Sequence, residues 1–514
     1  MSSIPFNAAL DNDSEDKENV GMKFLAKAWL CAFAATHLAF GTTQSANAQQ
    51  KQMGMTERQR LIVLTDIGNE PDDSESMVRL LLYSNDIDID GLIAATSHHL
   101  PRHPNPQPIR ERIAAYGAVL PNLRVHDARY PDAERLQSRV RTGNPVYGMS
   151  GVGKGKDTEA SRLIIAAVDQ PDPRPVWISV WGGAADLAQA LWTVRATRSP
   201  KQVERFVAKL RVYSISDQDD AGPWARAMFP NLFWETSVHG FIEYEHGTWL
   251  GMSAPVSGAD QSHVSKAWLA ENIQRKGPLG KLYPTPAYIM EGDTPSFLSL
   301  IPNGLSVPGR PDWGGWGGRY TKVSSALGLW TTTSDSVKGL DGNHYRSPQA
   351  TIWRWRTGFQ NDFAARMAWS VASEYKSANH APTPVLNGQT GLVPVELKAC
   401  PGQPLILSAK GSTDPDGNSL AYSWVWYREA SGNFAPNVAL SSDTGAETSV
   451  TVAKVVNVDQ FTPPSEYKLH VILEVHDDGV PVLTRYRRAI ISVKGVDVGV
   501  DPGACAVKPV PPSH

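Results

Sequence analysis

Two hydrophobic patterns alternate over the first three quarters of the chain. Continuous apolar runs, typical of strands buried on both faces, occur at 61–64, 91–95, 176–180 and 210–215. Apolar residues at helical spacing occur at 73–83, 109–119, 163–168 and 184–194. This order predicts an α/β domain, at 57–380, with a mainly parallel sheet and helices on both of its faces. Ligands of such sheets bind beyond the carboxyl ends of the strands.

A different pattern begins after a proline-rich linker at 381–384. Short alternating runs separated by turn residues occur at 405–408, 420–427, 448–452, 467–475 and 485–493. Their spacing predicts an all-β sandwich of about 100 residues, which we place at 392–498. The tail at 499–514 is rich in proline and is predicted to be disordered.

The first 48 residues have the features of a leader and signal peptide. Lys23 and Lys27 precede an apolar run at 28–40, and Ala46-Asn47-Ala48 matches a cleavage site. The apolar run is too short to span a membrane. We therefore predict an exported protein, periplasmic or secreted, without a stable membrane anchor.

The charge of the chain indicates which partners to expect, and its cysteines indicate a possible disulfide. The formal net charge is −3 and no basic stripe is present, so nucleic acid is not an expected partner. Downstream of the leader, Cys400 and Cys505 flank the β-rich segment. In an oxidising compartment they could form a disulfide, and two free thiols are the alternative.

An acidic cluster follows the first predicted strand. Asp66, Asp72 and Asp73 lie within nine residues, with Gly68 allowing a close turn between them. Carboxylates that converge on one loop repel one another unless protons or a cation neutralise them. The cluster therefore predicts a divalent cation, Ca²⁺ in preference to Mg²⁺. The alternative, which this loop alone leaves equally open, is that Asp72 and Asp73 only cap the following helix.

Three segments resemble the nucleoside hydrolases. The segment 65–73 is similar to their Asp-x-Asp-x-Gly-x-Asp-Asp motif, although Leu64 stands in place of the first Asp and the spacer is longer. The segment 181–188 resembles their Gly-Gly turn after the central strand. Asn361-Asp362 and the alanines after it resemble their His-Asp-x-x-Ala segment, with Asn361 in place of the family's His.

Four segments, two of which overlap those above, are similar to one bacterial branch of that family, namely 67–73, 291–305, 314–320 and 360–369. This branch is described as cellulose-binding and nucleoside-hydrolase-like, and it carries an immunoglobulin-like C-terminal domain. The resemblance implies a sheet of nucleoside-hydrolase type followed by an immunoglobulin-like β-sandwich.

The resemblance also implies a metal site. Its ligands would be Asp66, Asp73 and Asp362, together with the backbone carbonyl of Trp181. Asp66 would also accept the proton of the attacking water. The implied substrate contacts are Asp72, His98, Asp219, Asp220 and Asn361. Surface solvation explains Asp219 and Asp220 equally well.

Thirteen of the 16 tryptophans lie between Trp177 and Trp369. Tryptophan is more often part of a hydrophobic core than of a binding surface. Trp313 and Trp316 are set among glycines, which leave aromatic rings uncovered. We therefore predict Trp316 as a candidate platform for a sugar ring, with burial in the core as the alternative.

The resulting functional hypothesis is an exported, metal-dependent hydrolase of a glycosyl bond, with ribonucleoside-type N-glycosyl substrates implied by the family. One alternative is a non-catalytic protein that binds cellulose or another polysaccharide with the same cleft. Another is an O-glycosidase that acts on cell-wall fragments. The replacement of the family's His by Asn361 favours these alternatives, and the expected partner is a small sugar, a nucleoside or a plant cell-wall polysaccharide.

Overall fold

The computed structural model describes residues 58–453 and 466–494. The leader, its cleavage site, Cys505 and the tail at 499–514 lie outside these residues. Cys400 is disulfide-bonded, while its predicted pairing with Cys505 stays a prediction. Within the described residues, no helix has the length and apolar character needed to cross a membrane.

Ten strands and twelve helices make up the N-terminal domain. The strands are β1 (Gln59–Thr65), β2 (Ile87–Ala94), β3 (Val140–Thr142), β4 (Val176–Val180), β5 (Leu210–Ser214), β6 (Phe233–Thr236), β7 (Tyr320–Lys322), β8 (Leu329–Thr332), β9 (Asp335–Lys338) and β10 (His344–Ser347). The helices are α1 (Asp72–Leu82), α2 (Gln107–His126), α3 (Ala133–Gln137), α4 (Glu159–Asp169), α5 (Ala185–Thr197), α6 (Pro200–Ala208), α7 (Ala221–Met228), α8 (Lys266–Leu269), α9 (Gly277–Lys281), α10 (Pro295–Leu298), α11 (Ala350–Trp353) and α12 (Arg356–Trp369). These counts refer to the part of the chain that the structure describes.

The central sheet has eight strands in the order β3-β2-β1-β4-β5-β6-β8-β7. All neighbouring pairs are parallel except β7 and β8. From β1 the chain moves outward through β2 and β3, and it then returns to place β4 on the other side of β1. The order of the strands therefore reverses between β1 and β4, which is where α/β sheets bind ligands.

Strand β1 is buried on both faces, as its continuous apolar run predicts. Leu61 and Val63 join the core formed with α1, α2 and α12. Ile62 and Leu64 point to the other face and join the core formed with α4 to α7. The predicted α/β domain with a mainly parallel sheet is confirmed.

The C-terminal domain is rich in β-strands. They are β11 (Val395–Ala399), β12 (Pro404–Ser408), β13 (Ala421–Trp426), β14 (Val438–Leu440), β15 (Glu447–Val452), β16 (Glu466–His476) and β17 (Thr484–Lys494). They form one sheet in the order β11-β17-β16-β13 and a second in the order β12-β15-β14. Both sheets contribute to one hydrophobic core. The β-rich organisation is confirmed, and the immunoglobulin-like type stays a prediction.

The two domains share a buried polar interface. Arg488 on β17 is fully buried, and its guanidinium donates to the carbonyl oxygens of Leu305 (2.7 Å) and Gly314 (3.1 Å). The Tyr427 hydroxyl donates to Asp335 at 2.7 Å. Gly314 has a φ of +69°, and a Cβ there would lie 2.3 Å from the Tyr427 hydroxyl, so only glycine fits this contact.

Candidate functional site

A cavity of about 330 Å³ opens at the carboxyl ends of β1 and β4. Its acidic side is formed by five carboxylates, namely Asp66, Glu70, Asp72, Asp73 and Asp293. Its remaining wall includes His99, Trp181, Gln218, Tyr244, Trp249 and Tyr288. The cavity thus lies where the strand order reverses, and it combines negative charge with aromatic rings.

The loop between β1 and α1 delivers the first carboxylates. Asp66 follows β1 directly, and its Oδ2 accepts a hydrogen bond of 2.5 Å from the Ser97 hydroxyl. Asp72 and Asp73 occupy the first turn of α1, and the Thr65 hydroxyl donates to the Asp73 carboxylate. A Cβ at position 182 would lie 2.6 Å from Asp66 Oδ1, so Gly182 lets the β4 turn approach this carboxylate.

Asp293 comes from a segment that is fixed onto α1. Arg79 on α1 forms a fully buried ion pair with Glu291, with 2.5 Å between Nε and Oε2. The Glu291 N–H donates to Glu75 of α1 at 2.9 Å. Glu291 adopts a φ of +53°, a conformation that is uncommon outside glycine. These contacts place Asp293, two residues later, beside the first turn of α1.

The carboxylates fit a divalent cation. One ligand oxygen each of Asp72, Asp73 and Asp293 lies within 4.8 Å of the other two. Asp293 Oδ2 and Gln218 Oε1 are buried and have no hydrogen-bond partner among the described residues. A buried polar atom without a partner destabilises a protein, and both residues line the cavity. Oxygen donors in this number suit Ca²⁺ or Mg²⁺.

The acidic side resists ionisation when no cation is present. Burial raises the pKa of Asp66 to about 6. Burial and the charge of Asp66 raise the pKa of Asp72 to about 7. The pKa values of Asp73 and Asp293 are raised well above the usual range by burial and by the neighbouring carboxylates. A cation would remove this repulsion and keep the carboxylates charged.

These pKa values predict how the stability of the cation-free protein depends on pH. Asp66 and Asp72 titrate at about 6 and about 7 when folded, against about 3.9 when unfolded. The folded state therefore binds more protons in this interval, and stability should fall as the pH rises from about 4 to 7. Thermal unfolding in chelator checks this, and Ca²⁺ should stabilise more at pH 7 than at pH 5. The matched Asp66→Asn variant should show a flatter profile, and an unchanged slope in that variant would contradict the assignment.

The structure brings four of the predicted site residues to the cavity. They are Asp66, Asp72, Asp73 and Trp181. The Trp181 indole is fully buried and donates to Ser179 at 2.8 Å. The Trp181 carbonyl accepts a hydrogen bond of 2.7 Å from Gln218 Nε2. That hydrogen bond uses one lone pair of the carbonyl oxygen. The role of the Trp181 carbonyl as a metal ligand stays a prediction.

Asp362, the predicted last metal ligand, lies elsewhere. Its carboxylate receives hydrogen bonds from Tyr83 (2.7 Å), Arg366 (2.9 Å) and Arg485 (2.7 Å). Tyr83 directly follows α1, whereas Asp73 is in the first turn of that helix. The rise of 1.5 Å per residue separates the two ends of α1 by roughly 15 Å. The structure therefore contradicts the predicted placement of Asp362 beside Asp73, and the carboxylate that lies with Asp72 and Asp73 is Asp293 instead.

Asp219 and Asp220 are also placed differently from the prediction. The Asp219 carboxylate accepts the N–H groups of Ala184 (2.9 Å) and Ala221 (3.0 Å). Asp220 accepts the N–H of Met149 at 2.7 Å. Both carboxylates fix backbone turns and neither lines the cavity, where their neighbour Gln218 lies instead.

Three more predicted substrate contacts lie outside the cavity wall. His98 is exposed, and its neighbour His99 lines the cavity instead. Asn361 donates to the carbonyl of Val482 at 3.0 Å. Trp316 is fully buried, and its indole N–H donates to the Tyr486 hydroxyl at 3.2 Å across the domain interface. The prediction of Trp316 as an exposed sugar platform is therefore wrong.

Sequence reasoning missed Asp293, Gln218 and His99. A signal for Asp293 was present, because it lies in a Glu-Gly-Asp-Thr-Pro turn just before α10. Such a turn exposes carboxylates at the start of a helix. The acidic segment 217–220 was recognised, but the residue of this segment that lines the cavity is Gln218, not one of its aspartates.

Two family models match this chain. The nucleoside hydrolase-like domain of cellulose-binding Sde182 matches residues 60–320. The C-terminal domain of cellulose-binding protein Sde0182 matches residues 404–493. The chain belongs to the Sde182 family. Both domains of this family member thus have a counterpart, in the same order.

A solved structure agrees with this family assignment. A nucleoside hydrolase-related hypothetical protein from Saccharophagus degradans, described as associated with carbohydrate metabolism, is 36% identical to this chain. The match has a TM-score of 0.71 and covers 85% of this chain and 100% of the other. The effector protein XopQ complexed with adenosine diphosphate ribose is 9% identical, with a TM-score of 0.33 over 64% of this chain and 99% of its own. That likeness is too low to support a conclusion. The curated proteins contain no match.

Proposed function

We propose that this Sde182-family chain binds a cellulose-type glucan, and that its cavity holds one part of that chain through a divalent cation. The observation that carries this proposal is the convergence of Asp72, Asp73 and Asp293 in a cavity that Gln218 also lines. Asp293 Oδ2 and Gln218 Oε1 are buried there without a partner among the described residues. Supporting it, the family model over residues 60–320 is described as cellulose-binding.

Different residues of the cavity would bind the cation and the sugar. Asp72, Asp73, Asp293 and the side-chain carbonyl of Gln218 would hold Ca²⁺, or Mg²⁺. When bound, the cation supplies a positive centre for adjacent sugar hydroxyls. His99 and Tyr244, whose Nε2 and hydroxyl are 3.1 Å apart, offer hydrogen bonds to the same sugar. The rings of Tyr244 and Trp249 offer apolar surface to its C–H groups.

A second candidate function is hydrolysis of a glycosidic bond in that glucan. Asp66 favours it, because this carboxylate lines the cavity and is of the type that accepts a proton from an attacking water. His99 is the neighbouring group that could protonate the leaving oxygen. The argument against catalysis from Asn361 does not hold, because this side chain binds Val482 and does not face the cavity.

Calorimetric titration of the full chain with cello-oligosaccharides tests the proposal. We expect binding in Ca²⁺, loss of binding in chelator, and loss in the Asp73→Asn variant. Product analysis of the same mixtures separates the two candidates, since hydrolysis releases reducing ends that should disappear in Asp66→Asn. Binding that persists in chelator would contradict the cation site. Inosine serves as a comparison ligand, and its cleavage with no glucan binding would overturn the proposal.

We further propose that the protein is exported, because a glucan ligand lies outside the cytoplasm and the leader has a signal-peptide pattern. N-terminal sequencing of the protein recovered from outside the cytoplasm should begin near Gln49. An uncleaved N-terminus would contradict export by this signal.

A further inference from the structure

Tyr288 stands at the mouth of the cavity with its ring in solvent. It lines the cavity, yet 93% of its surface is exposed. Its φ is +65°, a backbone conformation that bulky residues rarely adopt. The segment before Asp293 therefore holds an aromatic ring outward instead of burying it, and large exposed apolar groups are often binding sites.

The loop after β6 carries a second exposed apolar group beside the cavity. Val238, Phe241 and Ile242 are between 45% and 53% exposed. The Phe241 ring meets the His98 ring edge-on, with 5.3 Å between centroids. His98 in turn contacts His99, at 5.2 Å, and His99 lines the cavity. Phe241 is thus joined to the cavity by an unbroken series of ring contacts.

The base of this loop is attached to the cavity wall. His239 Nε2 lies 2.7 Å from the Ser216 hydroxyl, which also accepts the indole N–H of Trp249 at 3.0 Å. Trp249 lines the cavity, as does Tyr244 just beyond the loop. The loop that carries Phe241 is therefore attached to the cavity wall at His239.

We propose that Tyr288 and Phe241 are stacking platforms for glucan sugar rings that extend beyond the ring held in the cavity. This inference rests on the proposed function and names the surface that extends it. A cavity of about 330 Å³ is at the small end for ligand pockets. The cavity holds only a short part of a glucan, so the rest of the polysaccharide must lie along the rim of the cavity.

The chemistry of the rim fits a neutral polysaccharide. A pyranose ring has apolar C–H faces and polar edges, and aromatic rings bind the former. The segments 286–290 and 240–242 contain no acidic or basic residue. In the loop after β6 the next charged residues, Glu243 and Glu245, are negative and disfavour an anionic polymer. The family model described as cellulose-binding covers both platforms.

Titration of the full chain in Ca²⁺ with cellohexaose and with cellobiose tests the platforms. We expect Tyr288→Ala and Phe241→Ala each to weaken cellohexaose binding roughly 10-fold, the size of effect seen for aromatic anchors. Ca²⁺ affinity and cellobiose affinity should change far less, because these ligands need only the cavity. The matched control is Phe434→Ala, which alters a 69% exposed aromatic residue of the C-terminal domain and should leave cellohexaose binding unchanged.

The outcomes separate this inference from the proposed function. If the wild type binds cellohexaose and both variants bind it equally well, the platforms are wrong and the proposed function stands. If the wild type binds no glucan in Ca²⁺, both fail. Sedimentation of the same variants tests whether a second copy of the chain, instead of a glucan, covers Phe241. A shift from dimer to monomer in Phe241→Ala, with glucan affinity unchanged, would identify the surface around Phe241 as a subunit interface and overturn the inference.

Discussion

Replacing Asp293 by Asn should lower the affinity of the protein for Ca²⁺ on the order of 100-fold, because even outer-shell partners of metal ligands are worth 10–100-fold. The same variant should be more stable than the wild type in chelator. Burial, together with the charges of Asp73 and Asp72, raises the pKa of the Asp293 carboxyl group well above the usual range. At neutral pH the folded state must therefore bind a proton that the unfolded state does not need, and the neutral Asn removes this cost. Calorimetric titration with Ca²⁺ and thermal unfolding in chelator measure the two effects.

The expected loss of Ca²⁺ affinity and gain of stability have opposite signs, which excludes misfolding as their common cause. A damaged fold would lower both cation affinity and stability. Asp362→Asn is the matched control, since it makes the same chemical change at the carboxylate that the sequence wrongly placed in the site. It should leave Ca²⁺ affinity unchanged. Equal losses of affinity in the two variants would overturn the assignment of Asp293.

The same Asp362→Asn variant should lower the free energy of unfolding by about 3 kcal/mol, as expected when one partner of a buried ion pair is removed. Burial opposes ionisation of Asp362, but Arg485 and Arg366 outweigh it and hold its pKa below the usual range. The substitution removes the carboxylate that Arg485 on β17 pairs with across the domain interface. Chemical denaturation measures the change.

An exposed ion pair provides the comparison for this effect. Asp169 pairs with Arg198 at 2.6 Å, with the Asp169 side chain 44% exposed. Asp169→Asn should cost less than about 1 kcal/mol, because solvent screens such a pair. If the two Asp→Asn variants are equally stable, the Asp362 network contributes little to holding the domains together.

The sequence predicted the carboxylates that lie close together along the chain. Asp66, Asp72 and Asp73 were found because one strand, one turn and one helix start deliver them together. Asp293 arrives from a distant segment, and its position depends on the ion pair between Arg79 and Glu291. No periodicity or short motif reports such a pairing, whereas the resemblance of Asn361-Asp362 to a family segment pointed to Asp362.

The same distinction applies to the fold. Long apolar runs predicted β1, β2, β4 and β5, because burial on both faces leaves a continuous pattern. The short strand β14 and the strand β11 were not predicted, since partly exposed strands carry little pattern. Trp316 was misjudged for a related reason. Its glycine-rich surroundings suggested an open surface. Instead, Gly314 gives room to Tyr427 of the C-terminal domain, and Gly315 and Gly317 pack closely against other segments of the N-terminal domain.

The burial of Arg488 has a consequence for how this protein can be cut and recombined. Its guanidinium satisfies two carbonyl oxygens of the other domain, and burial lowers its pKa to about 10. A graft that replaced the β-rich domain would leave the carbonyls of Leu305 and Gly314 without these donors. The linker at 381–384 therefore does not separate two interchangeable domains, and engineering or truncation should keep the two domains together as one unit.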